Sequence, residues 1–216
     1  MQSRNLLTIG AAALLLAACT HARTGPPSEH LSFFGVPQPS PNIVHVCHAY
    51  GCQKKTRFRF TEADLAEIAA LMKKTRTADT PHEERRAVAY AVGWIERRVG
   101  EAIGTKSDRA GMDFAASGDP TQQDCVDEST NTTSYLLVLQ ANGLLRHHTV
   151  GRPFAKDQLW RGVAGWTHWT AVLEEKAGGQ KWAIDSWIYE NGENPAVVEV
   201  EHWYVSDLES LPKQMH

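Results

Sequence analysis

The run from Asp124 to Leu144, DCVDESTNTTSYLLVLQANGL, decides the fold of this chain. Its apolar residues recur at 135, 136, 138 and 139 and continue to Leu144, a spacing typical of a helix with one side packed into a core. Gly143 suits a left-handed cap at the end of such a helix. The stretch therefore predicts a central helix that begins beside Cys125 and ends near Gly143.

Cys125 lies at the predicted amino-terminal end of this helix, where unpaired backbone N–H groups point toward the thiol. Such a position lowers the pKa of a thiol and favours the nucleophilic thiolate. The carboxylates of Asp124, Asp127 and Glu128 oppose that effect, although the last two suit the positive end of a helix. Activation of Cys125 therefore requires a histidine from elsewhere in the chain.

Length and composition describe one globular domain with tails. The chain has 216 residues, of which 42% are apolar and 22% charged, as in folded rather than disordered proteins. The formal net charge is −3 and no basic run stands out. We therefore expect no nucleic-acid partner.

The amino-terminal residues predict an export signal. Arg4 supplies a positive charge, and Leu6 to Ala18 is an apolar run of 13 residues, shorter than the roughly 20 that a membrane-spanning helix needs. The run ends Leu-Ala-Ala before Cys19, which resembles the lipobox of bacterial lipoproteins. That resemblance implies cleavage before Cys19 and attachment of lipid to it. The alternative is an ordinary signal peptide with a chance cysteine.

The sequence accordingly divides into three parts. Residues 1–18 are predicted to be the lipoprotein signal peptide, 19–41 the lipid-anchor cysteine with a proline-rich extended tether, and 42–216 the folded domain. Thr20 rather than aspartate follows the anchor, which by resemblance to Gram-negative lipoproteins implies an outer-membrane protein facing the periplasm. A periplasmic or secreted protein is the alternative.

Three cysteines remain after Cys19, and the expected compartment is oxidising. Cys47 and Cys52 are five residues apart around Ala-Tyr-Gly, a sequence that favours a turn, and can form a local disulfide. Cys125 is then the odd thiol, which marks it as a candidate reactive group. A rival interpretation is a metal site formed by the two paired cysteines with His45 and His48, although strand alternation separates the histidines.

Residue patterns predict the other elements. Alternation predicts a disulfide-clamped hairpin over 43–47 and 56–60, and capping signals predict helices from Thr61 to about residue 74 and from Thr80 to about residue 99. Four later strands are expected over 147–150, 167–174, 181–187 and 197–204, with residues 105–124 as a loop. Arg85, Arg86, Glu96 and Arg97 are expected in solvent. Helices followed by an antiparallel sheet predict an α+β fold.

A base and its orienting acceptor are available on the predicted strands. His168 lies in WTHWTAVL and Asp185 in KWAIDSW, 17 residues apart, with a Gly178-Gly179 turn between the two strands. Antiparallel strands joined in this way can place both side chains on one face. Cys125, His168 and Asp185 then supply a nucleophile, a base and an acceptor that orients the base.

This ordered set resembles the transglutaminase-like superfamily, which is related to papain-like cysteine peptidases. The resemblance covers roughly residues 120–190: the helix-capping Cys125, the pair His168-Trp169, and Asp185 after a strand that contains Trp182. It implies a transglutaminase-like or papain-like core with the cysteine at a helix amino terminus and helices packed on an antiparallel sheet. The residue after Asp185 departs from the family, which usually has proline there.

The resemblance implies acyl transfer by the thiol of Cys125, with His168 as the proton shuttle and Asp185 holding its tautomer. An amidase or cysteine peptidase, or a transglutaminase-type acyl transferase, is expected, without metal or cofactor. The expected substrate is a peptide or protein, with cell-envelope material as one candidate. Gln122 and Gln123 are the candidates nearest in sequence for an oxyanion-binding amide. The alternative is a catalytically inactive module of the same fold that binds peptide or cell-wall material.

Overall fold

The fold consists of helices and two antiparallel sheets and is therefore α+β, as the sequence predicted. The computed structural model describes residues 24–156, 167–207 and 210–212. The helices there are α1 (Pro27–Phe33), α2 (Glu62–Thr75), α3 (Pro81–Ile103), α4 (Cys125–Ala141) and α5 (Val200–Val205). The strands are β1 (Ile43–His48), β2 (Lys54–Arg59), β3 (His148–Lys156), β4 (His168–Glu175), β5 (Lys181–Asp185) and β6 (Ala196–Glu199).

Two antiparallel sheets enclose α4. The larger sheet has the order β3-β4-β5-β6, and β1 pairs with β2 in the predicted hairpin. Helix α4 contacts β1 on one side and β4 on another, while α3 packs against α4 and α2. The shared core includes Ile95, Leu136, Leu139 and Leu173, each at most 1% exposed. Each such side chain contributes roughly 1.5–3 kcal/mol by burial, so α4 is held mainly by its position between the sheets.

The structure confirms the capping signals that predicted the starts of α2 and α3 and the end of α4, whereas α3 continues to Ile103 rather than to about residue 99. Thr61 and Asp64 form a reciprocal capping box at the start of α2, and Thr80 caps α3 in front of Pro81. Gly143 has a φ of +69°, the left-handed conformation expected after α4. These motifs satisfy backbone groups within a few residues of themselves, which is why the sequence could reveal them.

Helix α4 is buried along its polar half as well as its apolar half. Residues 127–134 are polar and yet all of them are buried. The Thr133 hydroxyl donates to the Ser129 carbonyl within the helix at 2.6 Å, and the Asn131 side chain makes two hydrogen bonds with the backbone of Cys47 at 2.7 and 2.8 Å. Burial of these groups is tolerated because they have partners.

The proline-rich segment is not a uniform tether. Residues 20–41 were expected to be extended, but Pro27–Phe33 forms a helix whose Leu31 is fully buried. This helix contacts β3 and α4, and the buried His30 ring shares a hydrogen bond of 2.9 Å with Thr130. Composition missed the contact because the partners lie about 100 residues away. The signal peptide and Cys19 lie outside the described residues.

The last predicted strand ends early. Residues 197–204 were expected to be extended, whereas β6 stops at Glu199 and α5 begins at Val200. Strand β6 ends there because its partner β5 is short. Glu199 pairs with Trp182, the second residue of β5, so almost no further residue of β5 is available for pairing. The chain therefore turns over the sheet as a short helix.

Two charged residues of α3 that we expected in solvent are buried, since Arg85 is 8% and Glu96 7% exposed. Arg85 donates to Glu175 at 3.0 Å, and its guanidinium lies 3.6 Å from the ring centroid of Trp182. Glu96 accepts the N–H of Gly192 at 3.3 Å. The helical period could not reveal this, because the partners belong to the sheet and a distant loop. No helix in the described part of the chain is long and apolar enough to span a membrane.

Candidate active site

Cys125 is the first residue of α4, as the sequence indicated. Asp124 is the helix cap: its carboxylate accepts the N–H of Asp127 at 2.9 Å, while the Asp127 side chain accepts the N–H of Asp124 in return. The thiol itself is buried, with the residue 4% exposed. A reciprocal cap thus fixes the backbone immediately on both sides of the cysteine.

The thiol lies against the start of β4. Its Sγ donates to the carbonyl oxygen of Thr167 at 3.7 Å and accepts the backbone N–H of Trp169. These two residues flank His168 in the chain. The first turn of α4 therefore meets the sheet at the position of the predicted base, 43 residues away in sequence (168 − 125).

His168 and Asp185 are joined as the sequence predicted. Nε2 of His168 lies 2.7 Å from Oδ2 of Asp185, and both residues are almost fully buried. Ala171 pairs with Ile184 across β4 and β5, so Asp185 stands opposite Thr170 and diagonal to His168 on one face. The other ring nitrogen, Nδ1, has no hydrogen-bond partner within the described residues. That nitrogen is available to accept a proton.

Two tryptophans enclose the imidazole. The ring centroid of Trp187 lies 4.7 Å from that of His168, and that of Trp203 lies 5.4 Å from it. The indole N–H of Trp203 also donates to Oδ2 of Asp185 at 2.7 Å. The sequence pattern did not reveal this role of Trp203, because it predicted a strand over 197–204, where the structure has α5. The only available signal was its chemical type, a large apolar ring with one donor that requires a partner when buried.

The thiol is neutral in this arrangement. Burial, together with the carboxylates of Asp124, Asp185 and Asp127, raises the pKa of Cys125 to about 12, against the backbone N–H of Trp169, which lowers it. The helix amino terminus therefore does not by itself produce a thiolate, contrary to the effect that we expected from position alone. Proton removal has to accompany attack on a substrate.

Neither glutamine candidate presents a free side chain near the thiol. The amide nitrogen of Gln122 donates to the Ser107 carbonyl at 3.0 Å, and that of Gln123 donates to the Cys47 carbonyl at 3.0 Å. Both side chains are buried and hold the loop before α4 in place. Proximity in sequence was a poor guide here, because adjacent residues of an extended chain point in different directions.

The disulfide between Cys47 and Cys52 is formed, as predicted. This argues against the rival metal site, since a disulfide supplies no thiolate, and both ring nitrogens of His48 are hydrogen-bonded to Thr56 and Pro120. Within the described ranges, the one close group of three potential metal ligands is these two sulfurs with Asp127. The bond between the sulfurs removes that group as a metal site too.

The turn closed by the disulfide is strained and binds the start of α4. Its residues from Ala49 to Cys52 all have φ between 57° and 70°, a conformation that is unfavourable for residues other than glycine. The N–H groups of Tyr50 and Cys52 donate to the two oxygens of Asp127 at 2.8 and 2.6 Å, and that of the glycine between them donates to Asp124 at 2.9 Å. Successive N–H groups in such a turn form an anion-binding concavity. The carboxylates beside the thiol fill it.

Three further carboxyl groups are buried in one cluster beside Ser186: those of Glu96, Asp108 and Glu128. The hydroxyl of Ser186 donates to Glu128, whose side chain also shares a hydrogen bond with that of Asp108. Burial raises the pKa of Glu96 to about 8 and that of Asp108 to about 7, and it raises that of Glu128 well above the ordinary range. The group therefore holds protons at neutral pH. The sequence does not reveal this cluster, because its members come from α3, a loop and α4.

The fold brings Cys125, His168 and Asp185 together, with one ring nitrogen of His168 bound to Asp185. Within the described residues the other ring nitrogen has no hydrogen-bond partner, the Cys125 thiol included. Comparisons of the chain with known protein families, curated proteins and solved structures find no match.

Proposed function

We propose that the protein is a thiol acyl-transfer enzyme, an amidase or cysteine peptidase, with Cys125 as nucleophile, His168 as base and Asp185 as the acceptor that orients the base. The arrangement around His168 carries the proposal. Its Nε2 is bound to Asp185 at 2.7 Å, and its Nδ1 has no partner among the described residues. The residues before and after it, Thr167 and Trp169, both contact the Cys125 thiol. A structural histidine with a buried, unpaired nitrogen would be costly.

The proposed reaction begins from the neutral thiol. The sulfur of Cys125 attacks an amide or ester carbonyl while its proton passes to Nδ1 of His168, and Asp185 stabilises the imidazolium that forms. The tetrahedral intermediate collapses, the C–N or C–O bond breaks, and His168 returns the proton to the leaving amine or alcohol. Water then cleaves the thioester, or an amine does so in a transglutaminase-type transfer.

The proposal includes membership of the transglutaminase-like superfamily, on the ordered set Cys125, His168 and Asp185. What supports it is a helix that begins at the cysteine and packs on an antiparallel sheet whose neighbouring strands carry the other two residues. A peptide or protein substrate follows from this membership.

We also propose that the protein is an outer-membrane lipoprotein facing the periplasm, anchored through Cys19 and acting on material of the cell envelope. The lipobox-like sequence before Cys19 supports this, and so does the disulfide between Cys47 and Cys52, since disulfides persist in oxidising compartments. Metabolic labelling with a palmitate analogue tests the anchor. Label that survives the substitution Cys19→Ala would refute it.

The activity is tested with p-nitrophenyl acetate, a small activated ester. We expect the acetyl group on Cys125, located by mass spectrometry, and no acetylation at that position in Cys125→Ala. His168→Ala should lower the acylation rate by about 100-fold, the scale of general base catalysis. The matched control is His82→Ala, since the His82 side chain is 77% exposed and far along the chain from the site. Equal rates in wild type and His168→Ala would refute the proposal.

A second candidate is a catalytically inactive module of the same fold that binds peptide or cell-wall material. It is favoured by the burial of Cys125 and by its thiol pKa of about 12. This candidate predicts no acylation of Cys125 by the ester and binding to isolated peptidoglycan that is unchanged in Cys125→Ala. Acylation that depends on His168 would exclude it.

A further inference from the structure

Trp203 contacts two of the three proposed active residues. Its indole Nε1 donates to Oδ2 of Asp185 at 2.7 Å, and the same oxygen is 2.7 Å from Nε2 of His168. The indole ring is tilted by 34° against the imidazole, with 5.4 Å between centroids. Trp203 is completely buried. It therefore touches the acceptor by a hydrogen bond and the base by ring packing.

The two oxygens of Asp185 have different surroundings. Oδ2 receives both donors, whereas Oδ1 is buried and has no hydrogen-bond partner within the described residues. Rotation of a carboxylate about its terminal torsion has broad minima, so side-chain preference alone does not fix the orientation of the Asp185 carboxylate plane toward His168. The donor from Trp203 holds that plane with one oxygen directed at Nε2 of His168.

The indole is held by contacts other than its bond to Asp185. Nζ of Lys156 donates to the backbone carbonyls of Trp203 and Ser206, at 3.1 Å each, and lies 4.4 Å from the indole ring centroid. Phe154 packs on the same ring, with 5.8 Å between centroids. Strand β3 thus holds α5 in place, and the indole N–H of Trp203 on α5 is directed at Asp185, the last residue of β5.

We infer that Trp203 is a positioning residue that fixes the Asp185 carboxylate so that His168 keeps its proton on Nε2 and presents the lone pair of Nδ1 to the Cys125 thiol. The inference rests on the proposed function and adds to it a residue from a different element. Trp203 acts through Asp185 and does not touch the reacting atoms. With Asp185 as the acceptor, Nε2 must carry the proton, which is the tautomer that a base at Nδ1 requires.

The test is Trp203→Phe, which keeps an aromatic ring against His168 and removes the indole donor. Its matched control is Trp182→Phe on β5, because the buried indole N–H of Trp182 has no hydrogen-bond partner within the described chain. We expect acylation by p-nitrophenyl acetate to be about tenfold slower in Trp203→Phe, the scale of one hydrogen bond to a charged group. The control should keep the wild-type rate. Urea unfolding of both variants separates lost stability from lost rate.

The outcomes distinguish this inference from the proposed function. If acylation is slow in His168→Ala but equally fast in Trp203→Phe and in the Trp182→Phe control, the inference is overturned and the proposed function stands. An unchanged rate in His168→Ala overturns both. A lower urea midpoint in Trp203→Phe with an unchanged rate in the folded protein identifies a purely structural tryptophan and also overturns the inference.

A second measurement decides the matter if Trp203→Phe does not fold. In the wild-type protein we expect the indole proton of Trp203 to be shifted downfield and protected from exchange by its bond to Asp185. In Asp185→Asn that resonance should move upfield, and the Nε2 proton of His168 should exchange faster. An indole resonance that is the same in both proteins overturns the inference.

Discussion

The substitution Glu96→Gln should change how stability depends on pH. Glu96 is buried beside Ser186 and Gly192, and burial raises its pKa from 4.5 to about 8. A carboxyl with a raised pKa stabilises the fold most below the unfolded pKa, and this contribution is lost as pH rises through the folded pKa. Glutamine has the shape of the protonated acid at every pH. The variant should therefore lose less stability than wild type as the solution becomes alkaline.

The size of the expected change in unfolding free energy follows from the single proton held by Glu96. Between about pH 5.5 and 7 the folded protein holds a proton on Glu96 that the unfolded chain has lost, so the free energy of unfolding falls by about 1.4 kcal/mol per pH unit. Over that interval the wild type should lose roughly 2 kcal/mol more than Glu96→Gln.

The assay is urea unfolding at several pH values in that interval, at constant ionic strength. The matched control is Glu101→Gln, which removes an exposed carboxyl from the same helix and should leave the pH dependence of wild type unchanged. Parallel stability curves for wild type and Glu96→Gln would refute the reasoning, because they would mean that Glu96 is ionised in the folded protein at neutral pH.

Three other perturbations have defined outcomes. Because the pKa of Cys125 is about 12, its alkylation by iodoacetamide should accelerate continuously from about pH 7 to 10, and a plateau below about pH 9 would contradict the buried neutral thiol. Replacing Cys47 and Cys52 with serine should cost roughly 2 kcal/mol of unfolding free energy, measured with urea, whereas an unchanged midpoint would mean that the turn holds itself. Asp127→Asn leaves one backbone donor of that turn facing an amide NH₂ and should cost about 1–3 kcal/mol, and a neutral effect would show that those hydrogen bonds are dispensable.

The features that the sequence predicted well are local. The cap at Thr61, the disulfide-closed hairpin and the left-handed end of α4 at Gly143 depend on groups a few residues apart. The pairing of His168 with Asp185 was also accessible, because a glycine turn between two strands fixes which residues share a face. Short-range hydrogen bonding and strand alternation depend only on which residues are close in sequence, so they can be predicted from it.

The remaining features depend on contacts between distant segments, which only the tertiary structure decided. Trp203 contacts Asp185 because β6 ends early and Lys156 binds the backbone of α5. Glu96 is buried because a loop distant in sequence, which includes Gly192, packs against it. The neutral state of Cys125 has the same origin, since the helix terminus favours a thiolate while burial opposes it more strongly. Residue order by itself determined which chemical groups the site has and the elements that carry them. Packing decided their charge and their partners, because desolvation depends on everything that surrounds a group in space.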